Sequence, residues 1–146
     1  MTGKHGFIEG SLEEIEEVLE RAEVGRIAIC DSLMPYIVPL NFLYYEAKIV
    51  FHCSWKGKKL EIVAKNPHCC FEVDEFMEEV SYHYDSKCHL NFDSVLAFGK
   101  ACIENNKEEK DRFFQLLHAK YNKIYQNQYL KMGNASTRII CLKLLM

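Results

Sequence analysis

The chain has 146 residues, 18 basic against 21 acidic, with a formal charge of −3, 49% hydrophobic and 27% charged residues. This length predicts one domain that buries roughly 68–70% of its unfolded surface without a disulfide or metal staple, and it excludes a two-domain dehydrogenase or a (β/α)8 barrel. The charge balance lacks the basic excess of a nucleic-acid binder, and three Pro and seven Gly are too few for a disordered chain.

Residues 32–45 form an uncharged stretch that is too short for a membrane span and holds Pro35 and Pro39. Residues 1–11 lack the apolar core of a secretion signal, so the expectation is a cytoplasmic protein with no membrane partner. Seven cysteines (Cys30, Cys53, Cys69, Cys70, Cys88, Cys102 and Cys141) make an odd count with no CxxC. In a reducing compartment they read as buried small hydrophobes.

Ser11 followed by Glu14 is a capping-box pattern. Leu12, Ile15, Val18, Leu19 and Ala22 then recur at helical spacing, which predicts a helix over 11–22. From Gly25 the period changes to that of strands. Residues 26–30 predict a first strand, 31–35 a turn, 36–45 one long strand, Glu46-Ala47 a hairpin turn and 48–53 a third strand. Short connections imply antiparallel pairing among these three. Residues 55–59 read as a polar loop leading into a short helix that ends at Asn66-Pro67.

Residues 68–73 predict another strand, and the acids of 72–79 a solvated face. Residues 80–84 fit an edge strand. Residues 94–103 predict a long strand in which Gly99 marks a bulge or a close backbone approach. Residues 106–125 predict a helix with the apolar stripe Phe113, Phe114, Leu117, Tyr121 and Ile124. After a break at Gly133-Asn134, residues 138–144 close the chain as a strand. Six or seven strands with three helices favour a small antiparallel barrel over a doubly wound sheet.

Chemistry concentrates in Phe51-His52-Cys53-Ser54-Trp55-Lys56-Gly57-Lys58-Lys59. A strand end, a glycine loop and two lysines at a helix start suit a phosphate group. A solvated basic loop is the alternative reading, and no P-loop or GxGxxG pattern occurs. On 36–45, Tyr36, Val38, Leu40, Phe42 and Tyr44 share one face, and Ile37, Pro39, Asn41 and Leu43 the other. Pro39 argues for an edge strand. The Asn41 amide suits either a planar heteroaromatic ligand or a hydrogen-bonded core position.

The segments Val24-Gly25-Arg26-Ile27-Ala28, Pro35-Tyr36-Ile37-Val38-Pro39-Leu40-Asn41-Phe42, Phe51-His52, Gly57-Lys58-Lys59-Leu60, Asn66-Pro67, Cys70-Phe71-Glu72-Val73 and Ser94-Val95-Leu96-Ala97-Phe98-Gly99-Lys100-Ala101 agree in order and spacing with one family. Over residues 15–121 the chain resembles the nitroimidazole-resistance (Nim) branch of the pyridoxamine-phosphate-oxidase-like proteins. The resemblance implies a mainly β fold with flanking helices, a six- to seven-stranded antiparallel split β-barrel that binds FMN. It also implies a homodimer with flavin at the subunit interface and a small-molecule substrate.

Carried over by position, Tyr36, Ile37, Val38, Pro39 and Asn41 would line the flavin ring. His52 and Cys53 would lie beside it, Lys58 and Lys59 would hold its phosphate, and Ser94 would touch it. His52 would then serve either as proton donor to a reduced substrate or as a packing residue.

The resemblance does not extend to vitamin B6 oxidation. Tyr36 and Asn41 stand where pyridoxamine-phosphate oxidases carry Arg and Lys, and residues 138–146 lack their Arg-x-His motif. The turn at 31–35 lacks the Gly common in the Nim branch, and Cys53 replaces a frequent Ser. The implied activity is an FMN-dependent oxidoreductase passing electrons from reduced nicotinamide to a small organic acceptor, nitroaromatics included. A non-catalytic flavin store or sensor, or a barrel that binds haem or a deazaflavin, is the alternative. His68, Cys69, Cys70, His83, Cys88 and His89 lack the regular spacing of a zinc site, so no metal is expected.

Overall fold

Ser11 opens helix α1 (Leu12–Arg21) through the predicted capping box. Its hydroxyl accepts from the Glu14 N–H at 3.2 Å, and its own N–H donates to the Glu14 carboxylate at 2.6 Å. The computed structural model describes residues 10–76, 92–125 and 137–144. The predicted strand at 80–84 and the break at Gly133-Asn134 lie outside them. The strands are β1 (Gly25–Asp31), β2 (Met34–Leu40), β3 (Leu43–Tyr45), β4 (Lys48–Ser54), β5 (His68–Phe76), β6 (Phe92–Glu104) and β7 (Thr137–Leu144). Helix α2 (Lys58–Lys65) follows β4, and α3 (Lys107–Ile124) follows β6. Among the described residues no helix is long and apolar enough to cross a membrane.

The strands pair antiparallel in one sheet of order β2-β1-β5-β6-β7-β4-β3. Its two terminal strands, β2 and β3, are consecutive in the chain, with Asn41 and Phe42 between them. Three residue steps span at most roughly 10 Å, so the sheet curls until its edges meet at that point. This closure produces the expected antiparallel barrel.

The same corner corrects two expectations. Residues 36–45 are two strands, and the first strands do not form one meander: β2 pairs with β1, β3 with β4. The physical cause is Tyr121, fully buried on α3. Its hydroxyl accepts the Phe42 N–H at 2.7 Å and stands 2.9 Å from the Phe42 carbonyl and 2.8 Å from that of Glu23. The backbone groups of Phe42 therefore turn to a side chain, and the strand ends there. Next to it, Lys120 Nζ donates to the Ala22 carbonyl at the end of α1 at 2.9 Å and lies 4.1 Å from the Phe42 ring centroid. Burial pulls this lysine down to about 8.

Alternation along the strands sorts side chains between two cores. Leu19, Ile27, Phe42, Phe51, Phe71 and Leu142 fill the barrel. Val50, Ile139 and Cys141 face outward and are covered by Phe113, Leu117 and Tyr121 of the predicted α3 stripe. Each such large apolar side chain contributes about 1.5–3 kcal/mol on leaving water, so the stripe suffices to seat α3. At the hairpin between β3 and β4, Glu46 and Ala47 both take positive φ, 48° and 56°. That is the conformation a two-residue hairpin demands, even though neither residue is Gly or Asn.

Candidate functional site

Helix α2 starts at Lys58, so Lys58 and Lys59 belong to its first turn and not to the preceding loop. Gly57 precedes it at φ +137°, a backbone state that disfavours side chains, and no side chain caps this end. The N–H groups of Leu60 and Glu61 return to the Gly57 carbonyl at 3.0 and 3.3 Å. A Cβ placed on Gly57 would meet nothing within 4 Å, so the cradle is open. Among the described residues neither Lys58 nor Lys59 has a carboxylate partner. Both lysines thus stand in the first turn of a helix, at its positive end.

Other predicted residues gather around this point. Lys58 Nζ lies 5.3 Å from the Tyr36 ring centroid, which ties the helix start to β2. Tyr36 and Val38 pack against the barrel core, whereas Ile37 and Pro39 point out. β2 ends the sheet order, as Pro39 suggested, so its second backbone edge has no strand partner among the described residues. Asn41 and His52 each lie two residues beyond Leu43↔Val50, the last pair of the β3–β4 ladder. The half-buried Asn41 amide has no hydrogen-bond partner among the described residues.

His52 Nδ1 is buried and unpartnered. Burial, then the nearby Lys59, lowers the His52 pKa below its ordinary 6.5, leaving a neutral imidazole at neutral pH. Burial pushes the Cys53 thiol up, against the pull of Lys59 and Arg138. Cys53 is therefore a neutral packing thiol and no nucleophile. A buried nitrogen without a partner, beside unpaired lysines, fits a polar ligand that would satisfy both.

Ser94 stands apart. It lies on β6 opposite Asp74, with β5 and β1 between it and β2. Three strand spacings make about 14 Å, so within one chain Ser94 does not join the Tyr36–Lys58–His52 group. Its surroundings are an exposed sheet face. Ile37, Ala28, Cys70 and Phe98 are cross-strand partners in one row, and Pro39, Arg26, Glu72 and Leu96 form the next. Ile37, Leu96 and Phe98 are 63%, 58% and 47% exposed.

The acids of 72–75 are not merely solvated. Glu72 and Asp74 pair with Arg26, and Glu75 with Arg21, whose other nitrogen meets Asp93 at 2.6 Å. His68 contacts Asn66 Oδ1 at 3.2 Å, and the Cys69 thiol donates to the Gly99 carbonyl at 3.6 Å. Among the described residues no group of three or more His, Cys, Asp or Glu could hold a metal ion. His83, Cys88 and His89 lie outside them. The six cysteines among the described residues are free thiols.

One residue here escapes sequence reasoning. Arg138 reaches the site because β7 pairs with β4, Arg138 opposite Cys53. With Trp55, Lys56, Asn105 and others it lines an open groove of about 420 Å³ between α2 and the ends of β6 and β7. No local pattern marks Arg138, since the β4–β7 register spans more than eighty residues.

The family model of pyridoxamine 5'-phosphate oxidase matches residues 11–143. An uncharacterised protein of Rhizobium meliloti is 30% identical over 67 residues, which cover 45% of this chain and 43% of that protein. Among solved structures, a candidate 5-nitroimidazole antibiotic resistance protein from Bacteroides thetaiotaomicron matches with a TM-score of 0.78 at 19% identity, covering 94% of this chain and 82% of the other. An FAD-binding protein from Mesorhizobium loti matches with a TM-score of 0.69 at 23% identity, covering 93% and 91%. An FAD and haem binding protein from Mycobacterium smegmatis reaches 0.77 at 16% identity, covering 92% and 66%. At these identities the solved structures establish the split-barrel fold.

Proposed function

The chain belongs to the pyridoxamine 5'-phosphate oxidase family, and from that premise we propose that it is an FMN-binding oxidoreductase of the cytoplasm. The observation that carries the proposal is the uncapped start of α2. There Lys58 and Lys59 lie without carboxylate partners beside a histidine whose buried Nδ1 is unsatisfied. Lys58 and Lys59 hold the phosphate. The free edge of β2, from Tyr36 through Ile37, Val38 and Pro39 to Asn41, lines the ring with backbone groups and the Asn41 amide. Cys53 packs beneath. When bound, the flavin supplies hydride transfer between reduced nicotinamide and a small organic acceptor, nitroaromatics included.

Ser94 completes the site from a second copy of the chain, whose docking covers the exposed Ile37–Phe98 face. Lysines at both positions (Ile37→Lys with Phe98→Lys) place like charges in that face. The double variant is expected to sediment as a monomer and to hold FMN weakly. A variant that stays dimeric would refute this interface.

His52 donates a proton to the reduced acceptor. Because its pKa lies below 6.5, the imidazolium accumulates only as pH falls. The reduction rate should therefore rise toward acid pH, and His52→Asn should flatten that limb with a loss of about a hundredfold. An acid limb unchanged in the variant would remove His52 from the proton path. Phosphate on Lys59 offsets that lysine's charge, so flavin-loaded protein should titrate His52 at higher pH than flavin-free protein.

The deciding experiment is anaerobic mixing of the purified, FMN-supplemented protein with reduced nicotinamide. Rapid bleaching of the bound flavin supports the oxidoreductase. Unchanged absorbance makes the protein a flavin-binding module, and a colourless protein that takes up no FMN sinks the proposal.

A further inference from the structure

Two thiols of the sheet stand directly opposite each other. The β6–β7 register pairs Cys102 with Cys141, and opposite residues of an antiparallel pair point to the same face. That face is the outer one. Cys141 is buried there in the core beneath α3, and Cys102 packs against the same cluster. Opposite Cα atoms of an antiparallel ladder lie about 4.5 or 5.5 Å apart, according to the hydrogen-bonding position. Both values fall inside the roughly 4.4–6.8 Å window of a disulfide. The Cys102 thiol leans across the ladder and donates to the Cys141 carbonyl at 3.4 Å.

No other pair of cysteines among the described residues is placed this way. Cys69 is opposite Ile29 and Gly99, Cys70 opposite Ala28 and Phe98, Cys30 opposite Pro35, and Cys53 opposite Arg138. Cys69 and Cys70 are adjacent on β5 and point to opposite faces. The two paired thiols also differ in access. Cys141 sits between Cys102 on β6 and Val50 on β4 and is 2% exposed. Cys102 is half-buried. β5 starts at His68 opposite Lys100, so at Cys102 the far side of β6 has no strand partner among the described residues. Burial, and then the neighbouring Cys102, push the Cys141 thiol up to about 12, so Cys141 stays protonated.

We propose that Cys102 and Cys141 are a modification site, a dithiol that hydrogen peroxide converts to a reversible cross-strand disulfide. The more accessible Cys102 meets the oxidant. Its sulfur attacks one peroxide oxygen, the O–O bond breaks, and a sulfenic acid and one water form. The Cys141 sulfur then displaces the sulfenic hydroxyl, which leaves as a second water with the Cys141 proton. The two thiols lose two hydrogens in all, and one peroxide becomes two waters. In a reducing compartment, disulfides are of this transient, redox-sensing kind. The bond ties two strands in the middle of the sheet and closes a loop of about forty residues that contains α3. Because α3 carries Tyr121, whose hydroxyl holds the Phe42 backbone, the bond also locks the corner where the barrel closes. Cys53 belongs to the inner core and this pair to the outer one, so the dithiol works whether or not the protein binds FMN.

The full-length protein is reduced, freed of reductant, treated with hydrogen peroxide, alkylated and cut with trypsin. Cleavage after Lys100, Lys107, Arg138 and Lys143 releases residues 101–107 and 139–143, each with a single cysteine. These peptides should appear joined, at the sum of their masses less two hydrogens, and dithiothreitol should separate them. Oxidised protein should melt about 5–10 °C above reduced protein. Cys102→Ser should abolish both effects, and Cys30→Ser, which removes an exposed thiol, should leave both in place. The peptide map uses the unaltered chain, so a misfolded variant does not shield the proposal. Peptides 101–107 and 139–143 recovered unlinked, whether alkylated or oxidised to sulfinic acid, overturn the site. A link from either to any other cysteine does the same, and a melting temperature that fails to rise overturns the lock.

Discussion

Replacing Lys58 and Lys59 together by alanine is expected to weaken FMN binding about ten- to hundredfold. Hydrogen bonds to charged groups contribute roughly 1.5–3 kcal/mol each, so two of them could total about 3–6 kcal/mol. Lys58 is exposed, and its share is screened by solvent. Discounting for that leaves about 1.5–3 kcal/mol, which is one to two decades. Lys58→Ala also removes the cation above the Tyr36 ring, a further effect of about 0.5–1 kcal/mol at an exposed site. Titration with FMN and with riboflavin separates the causes. Riboflavin lacks the phosphate, so the variant should lose only the small Tyr36 share of its affinity for it. Equal losses for both ligands would mean that the lysines support the fold, not the phosphate.

Gly99→Ala should destabilise the protein by about 3 kcal/mol, lowering the melting temperature by roughly 10 °C. A Cβ on Gly99 would stand 2.3 Å from the Lys143 carbonyl oxygen and 2.5 Å from Leu142 Cδ1. The first of these is backbone, so no rotamer change relieves the clash. β6 and β7 lie in the middle of the sheet order, where separating two strands breaks pairing on both sides. Gly57→Ala is the informative contrast. Nothing lies within 4 Å of its Cβ position, and the cost is the positive φ alone, about 1–2 kcal/mol. Denaturant melts of the two variants should rank them in that order.

Much of the fold is legible in residue order because the signals are local. Ser11 and Glu14 cap α1 through contacts three residues apart, and the stripe from Phe113 to Ile124 follows from helical periodicity. Gly99 marks the close approach expected of a glycine inside a strand. Lys58 and Lys59 beside Gly57 are visible for the same reason: a helix start needs only its own few residues to offer N–H groups and charge.

The residues that resist reading depend on partners far along the chain. Residues 36–45 have strand composition throughout, and nothing local says that Tyr121 takes the Phe42 backbone and ends the strand there. The acids at 72–75 look solvated until β1 and α1 bring Arg26 and Arg21 to them. The row Ile37–Ala28–Cys70–Phe98 exists only through three strand pairings.

The length, charge and motif order of this chain by themselves determined a small antiparallel barrel with two lysines at a helix start, because composition and short-range spacing act before any long-range contact forms. Only the tertiary structure decided which cations lack partners, which faces stay exposed and where the sheet closes. Those properties depend on burial and on strand register, and both are set by contacts between residues tens of positions apart.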